Sequence, residues 1–174
     1  MAVDLPSRWL WGPHSAFGLW TAALTLGIDQ AHKWWMLLIY RIEQKGRVQL
    51  TPFFDLVFVK NQGVSYGMFT QDGRFGQWLL AGFAVAAALL LVIFLARNAA
   101  GRLMALSLGL IIGGAIGNAI DRVLIGGVAD FFSLHAFGYY WYVFNFADAA
   151  IVAGVVSLLY DSVIASRKAA SKTP

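Results

Sequence analysis

Four stretches free of formal charge dominate the pattern of apolar and polar positions along this chain. Residues 9–28 come first, followed by Asp29 and Lys33 and then the apolar run 34–40. Residues 75–96 and 103–120 are uninterrupted, and the fourth stretch is assembled from 141–147 and 149–160 around Asp148. A bilayer core about 30 Å thick is crossed by about 20 apolar helical residues. The pattern therefore predicts helices over about 15–40, 75–96, 102–122 and 142–163, in one integral membrane domain covering 1–174. The first stretch reads as a retained helix rather than a cleaved secretory signal. Its apolar run exceeds a usual signal core, and Asp4 offsets Arg8 ahead of it.

The segments between helices carry their own signals. Within 41–74, residues 48–60 are rich in Val, Phe and Leu and contain Pro52, which predicts short strands outside the bilayer. Asn61-Gln62-Gly63 marks a turn. Residues 125–140 read as a Gly- and aromatic-rich loop, with Tyr139, Tyr140, Trp141 and Tyr142 suited to an interfacial aromatic belt. The fold class expected is an all-α membrane protein of four transmembrane helices with a small β-rich platform outside the membrane. Four helices put both termini on one side. The count of basic residues does not say which side, because six (Arg8, Arg97, Arg102, Arg167, Lys168, Lys172) stand against five (Arg41, Lys45, Arg47, Lys60, Arg74).

Composition narrows the chemistry. The chain is 59% hydrophobic and 13% charged, with a mean hydropathy of +0.66, too apolar for a soluble domain of 174 residues. The net charge of +4 comes from residues flanking the apolar stretches and forms no basic face, so nucleic acid is not an expected partner. The absence of cysteine excludes disulfides, thiolate metal sites, a cysteine nucleophile and a lipidated cysteine anchor. His14, His32 and His135 are scattered without ligand spacing, so neither a metal nor a cofactor is expected.

The ionisable residues inside the helices fall at one depth. At a rise of about 1.5 Å per residue, Asp29 lies ~21 Å and Lys33 ~27 Å from Ser15. Asn118 and Asp121 lie ~24 Å and ~28 Å from Arg102, and Asp148 ~20 Å from Asp161 in the opposite direction. Asp29 and Lys33 are four residues apart, on one helical face. Asn118, Asp121 and Arg122 share a face, as do Asn145 and Asp148, and Asp130 stands just beyond the third helix. Two carboxylates in a dry pocket share one proton near neutral pH, so that one deprotonates water while the other polarises a carbonyl. The bland reading makes Asp29–Lys33 and Asp121–Arg122 ion pairs that fix helix packing. It also makes Gly109, Gly113, Gly114 and Gly117 close-packing positions and His32 a solvated neighbour of Lys33. A small ion- or proton-coupled transporter is the alternative function, and a scaffold that binds another helix is a third.

At these residues the chain resembles the lipoprotein signal peptidases, the bacterial signal peptidase II family. The resemblance rests on Asp29-Gln-Ala-His-Lys33, Asn61-Gln-Gly63-Val-Ser-Tyr-Gly67-Met-Phe69, Gly113-Gly-Ala-Ile-Gly-Asn118-Ala-Ile-Asp121-Arg122, Gly127-Val-Ala-Asp130-Phe and Phe144-Asn145-Phe-Ala147-Asp148, in that order along nearly the whole chain. It implies a monomeric aspartyl endopeptidase of a Gram-negative cell inner membrane. Both termini would be cytoplasmic, with residues 41–74 and 125–140 periplasmic and the site open to that side. The substrate it implies is a diacylglyceryl-modified prolipoprotein, cut just before its lipidated cysteine, and the other partners are membrane lipids. By position, Asp130 and Asp148 match the catalytic pair. Asn61, Gly63, Asn118, Asp121, Arg122 and Asn145 match residues that bind substrate or orient the pair, and Asp29 and Lys33 match a structural polar pair. Ala129, Tyr66 and His32 depart from the residues usual at their positions.

Overall fold

A computed structural model of the chain describes residues 11–63, 73–99 and 101–170, with side chains described as far as Val163. Residues 64–72, which include Tyr66, Gly67 and Phe69 of the second motif, lie outside the described residues. Helix α1 (Ser15–Trp34) continues as a π-helical turn, Trp35–Ile39, until Arg41 adopts a left-handed conformation at φ 54° and turns the chain into the short α2 (Ile42–Lys45). Strands β1 (Val48–Thr51) and β2 (Phe54–Asn61) follow, then α3 (Arg74–Asn98), α4 (Arg102–Ile125), β3 (Val128–Ala136), β4 (Tyr139–Phe144) and α5 (Phe146–Ala170).

Among the described residues three helices, Arg74–Asn98, Arg102–Ile125 and Phe146–Val163, are long and apolar enough to cross a membrane. Helix α1 is not among them, since Asp29, Gln30, His32 and Lys33 crowd its last turns. The packing is inverted relative to a water-soluble bundle. Trp20, Leu24, Phe83 and Leu90 are exposed, whereas Ala22, Ala81, Ala88 and Ala105 are buried together with Asp29, Lys33, Asn118 and Asp121. Large apolar residues outside, with small and polar ones packed beside Leu95, Leu108 and Ile112 inside, suit a helix bundle in lipid, where association depends on close backbone approach.

Helix α4 is central, and its glycines set how near its neighbours come. A methyl group at Gly113 would lie 2.5 Å from the Ala22 carbonyl oxygen of α1, and one at Gly114 would lie 2.5 Å from the Ala147 carbonyl oxygen of α5. Gly154 of α5 approaches the Ser107 carbonyl of α4 in the same way. Side chains here would push α1 and α5 away and separate the polar groups between them.

The four strands form one antiparallel sheet in the order β1-β2-β3-β4. Its register sets Asn61 opposite Val128 and Val59 opposite Asp130. The short strands expected within 48–60 are β1 and β2, joined through a turn at Pro52. Residues 125–140 differ from the expected loop, because most of them belong to β3 and the start of β4. The aromatic and β-branched run Tyr139–Phe144 favours extended backbone. A two-residue turn, with Phe137 at φ 51° and Gly138 at φ 80°, folds it back on β3. The last helix accordingly begins at Phe146, immediately after Asn145, and not at residue 142.

Candidate active site

Lys33 is a buried basic residue, with 2% of its side chain exposed. Its Nζ lies 2.8 Å from Asp29 Oδ2, 2.8 Å from Asp121 Oδ2 and 3.1 Å from Asn118 Oδ1. All three ammonium protons thus have acceptors, which a buried lysine needs if it is to stay charged. Both carboxylates also accept a backbone N–H. Asp29 Oδ1 accepts the Ala147 N–H at 3.0 Å, and Asp121 Oδ2 accepts the Ala129 N–H at 3.1 Å. Gln30 ties the pair together by donating to Asp29 Oδ2, Asp121 Oδ1 and the Gly117 carbonyl.

Asn118 carries this network towards two further carboxylates. Its Oδ1 accepts from Lys33 and from Asn145 Nδ2 at 3.2 Å, which fixes its amide so that Nδ2 donates to Asp148 Oδ1 at 2.8 Å. Asn145 and Asp148 form a reciprocal cap at the start of α5. The Asp148 N–H donates to Asn145 Oδ1 at 3.0 Å, and the Asn145 N–H donates to Asp148 Oδ2 at 3.3 Å. Asn145 Nδ2 also donates to Asp130 Oδ1 at 2.6 Å. A single residue therefore hydrogen-bonds to both Asp130 and Asp148.

Asp130 sits on β3 with 1% exposure and receives a second donor, Asn61 Nδ2 at 3.2 Å from Oδ2. Burial, and then the neighbouring Asp148 charge, push its carboxyl up to about 7, while the hydrogen bonds from Asn145 and Asn61 hold it down. Asn61 also donates to Tyr142 Oη at 2.6 Å, and its Oδ1 accepts the Gly63 N–H at 3.1 Å. The Tyr142 hydroxyl is pushed up to about 12 by burial and by the two carboxylates, so it stays protonated across the physiological range. Arg122 donates to the Asn118 carbonyl at 3.2 Å and the Gly63 carbonyl at 3.0 Å, binding the turn after β2 to α4.

Two cavities open on the carboxylates from different surroundings. A cleft of about 550 Å³ with a mixed lining includes Asn61, Gly63 and Asp130 beside Val59, Trp141 and Tyr142. A largely apolar groove of about 690 Å³ runs along α5, lined by Tyr142, Phe144, Asp148, Ile151, Val152 and Val156. Tyr142 lies on the boundary of both.

The nine polar residues expected at the site from the sequence, together with Gly63, all belong to this one network. Two expectations change. Asp121 pairs with Lys33 and not with Arg122, because adjacent residues on a helix point about 100° apart and do not face each other. His32 is not a solvated neighbour of Lys33; its ring is boxed by Phe131, Phe132 and Phe146, with centroids 4.6–5.5 Å away. Gln30 and Tyr142 were missed. Gln30 lies inside the first motif, which was the signal available for it, whereas the position of Tyr142 depends on a strand register that sequence alone does not give.

Lys33→Met should destabilise the protein by about 3–5 kcal/mol, since it strands Asp29 and Asp121 as buried carboxylates facing each other. Thermal unfolding in detergent checks this. The triple change Lys33→Met, Asp29→Asn, Asp121→Asn should recover much of the loss.

A family model described as signal peptidase (SPase) II matches residues 21–164. A lipoprotein signal peptidase of Methylobacterium sp. (strain 4-46) is 56% identical over 146 residues, covering 84% of this chain and 88% of that protein. Another, from Methylocella silvestris, is 49% identical over 152 residues, covering 87% and 88%. The fold is similar to that of a bacterial membrane enzyme solved at 2.3 Å, with a TM-score of 0.70 and 25% identity, covering 91% of this chain and 92% of the other.

Proposed function

The chain belongs to the signal peptidase II family, and on that premise we propose that Asp130 and Asp148 are the pair with which it cleaves. It is a membrane peptidase, aspartic by family, that removes signal peptides from prolipoproteins. The observation that carries the assignment is Asn145, which donates to Asp130 through its side chain and to Asp148 through its backbone. The remaining carboxylates of the network, Asp29 and Asp121, are committed to Lys33.

In the resting pair one proton is shared, because two adjacent carboxylates do not both ionise readily. The ionised partner takes a proton from water as that water attacks the scissile carbonyl. The protonated partner donates a hydrogen bond to the carbonyl oxygen and stabilises the developing negative charge. Collapse of the tetrahedral species returns a proton to the leaving amine. Asn61, Asn118 and Asn145 orient the pair, and Arg122 holds the Gly63 turn against which substrate backbone lies. Asp29, Asp121 and Lys33 keep the helices in register.

The two cavities suggest how a lipid-modified substrate is held. The acyl chains lie in the apolar groove along α5, and the peptide runs through the cleft of mixed lining beside β2 and β4. The bond cut is then the one just before the lipidated cysteine, where the cavities meet at Tyr142. In this reading the chain is a monomer that crosses the cell inner membrane four times. Helix α1 is the fourth span, its polar turns being covered by α4 and α5. The termini are cytoplasmic and the sheet is a periplasmic platform.

Asp130→Asn and Asp148→Asn should each slow cleavage of a lipidated precursor by about a thousandfold or more while remaining folded and inserted. Asp121→Asn should remain measurably active, with a lower unfolding temperature. A dead Asp121→Asn beside an active Asp130→Asn would redraw the pair as Asp121 with Asp148.

The pH profile follows from the raised carboxyl of Asp130. Below about 7 the pair retains its shared proton, and above it that proton leaves and no acid remains to polarise the carbonyl. The cleavage rate should therefore hold up to near neutral pH and fall on the alkaline side, with enzyme integrity checked at each point. A flat alkaline limb would contradict a shared proton.

A further inference from the structure

In the seam between α3 and α4, on a different face of α4 from that packed on α5, two cavities lie in succession. The one nearer the sheet has a volume of about 230 Å³ and is lined by Lys60, Gln62, Arg74, Gln77, Trp78 and Arg122. The other, also about 230 Å³, is walled only by apolar side chains, among them Ala81, Val85, Ile116, Ala119 and Ile120. Val123 and Leu124 line both, so the two are adjacent. On α4, Ile116, Ile120 and Val123 recur at i, i+4 and i+7 as one stripe, separate from the Gly114–Asn118 stripe against α5.

Among the described residues, three basic side chains line the upper cavity and no acidic one does. Arg122 lies within the field of Asp121, Asp130 and Asp148, but Lys60 and Arg74 make no ion pair among the described residues. The partial negative charge at the C-terminus of α4, about half a unit, offsets only a fraction of two cations. Arg122 also keeps a buried Nε–H with no acceptor. Below this cationic pocket the wall faces outward, with Val85 39%, Val123 42% and Leu124 59% exposed. The upper cavity gathers positive charge, and the lower one is lined for hydrocarbon.

We propose that this seam binds an anionic phospholipid, its phosphate held by Lys60, Arg74 and the free edge of Arg122, and one acyl chain lying along the α3–α4 groove. A zwitterionic headgroup carries the same phosphate but brings a cation among three others, so the site favours net-negative lipid. A free phosphate ester would fill the upper cavity alone and leave the apolar one uncovered. The site does not depend on the assignment of the catalytic pair.

The test is native mass spectrometry of the full chain in detergent, titrated with dioleoyl phosphatidylglycerol or dioleoyl phosphatidylcholine. The wild type should retain one phosphatidylglycerol in preference to phosphatidylcholine. The double change Lys60→Ala, Arg74→Ala, at two exposed positions, should weaken that binding at least tenfold, as the loss of two basic groups at a lipid surface implies. Val123→Trp, which fills the lower groove and leaves the bases in place, should also weaken it. Unfolding temperature checks that both variants are intact. Equal retention of the two lipids by the wild type, or undiminished phosphatidylglycerol binding by the folded double variant, would overturn the site. Displacement of the lipid by soluble glycerol phosphate at similar concentration would overturn the acyl-chain half of the proposal.

Discussion

A lysine ammonium taken out of water costs several kcal/mol unless its charge and its protons are all answered. Lys33 is answered by Asp29 from its own helix and by Asp121 and Asn118 from α4. Each of those three groups then dictates something further away. Asp29 receives the backbone of α5 at Ala147, Asp121 receives β3 at Ala129, and Asn118 reaches Asp148. Three helices and one strand are thus held at fixed mutual positions by contacts that begin at a single nitrogen. Breaking the centre would leave like charges buried together, so the network is coupled and its members are not independent.

That arrangement needs close helices, and the α4 glycines supply the approach. Polar side chains of ordinary length from α1, α4 and α5 meet only because Gly113 and Gly114 let the neighbouring backbones come within contact of α4. The sheet then closes the end of the bundle. Its β3 strand brings Asp130 beside Asn145, and β2 brings Asn61 beside Asp130. One carboxyl lines a cleft of mixed character and the other a more apolar groove.

Much of the site was legible because helical spacing is regular. Asp29 with Lys33 at i,i+4, Asn118 with Asp121 at i,i+3, and Asn145 with Asp148 at i,i+3 could be set at one depth from the rise of a helix alone. The sheet was harder to read. Residues 139–144 are too apolar to separate a strand from a buried helix by periodicity, so β4 was divided between a loop and a helix. Strand register is set by the whole face it buries and by its turns, which is why the pairing that brings Asn61 to Asp130 and Tyr142 left no local mark. The partner of Asp121 was misjudged for a different reason. Adjacency in sequence suggested Arg122, while the direction of the side chain and the depth of Lys33 decide the matter.

The account rests on Asp130 and Asp148 sensing each other's charge, and a direct measure is the titration of the Asp130 carboxyl itself. Aspartate labelled at the side-chain carbon with ¹³C, assigned through the Asp130→Asn spectrum, gives that titration by NMR in detergent. The account predicts a midpoint near 7 for Asp130 in the wild type. In Asp148→Asn the midpoint should fall while staying above the ordinary carboxyl range, because burial is the larger cause and remains. A midpoint unmoved by the loss of Asp148 would mean that the two carboxyls do not act as a pair.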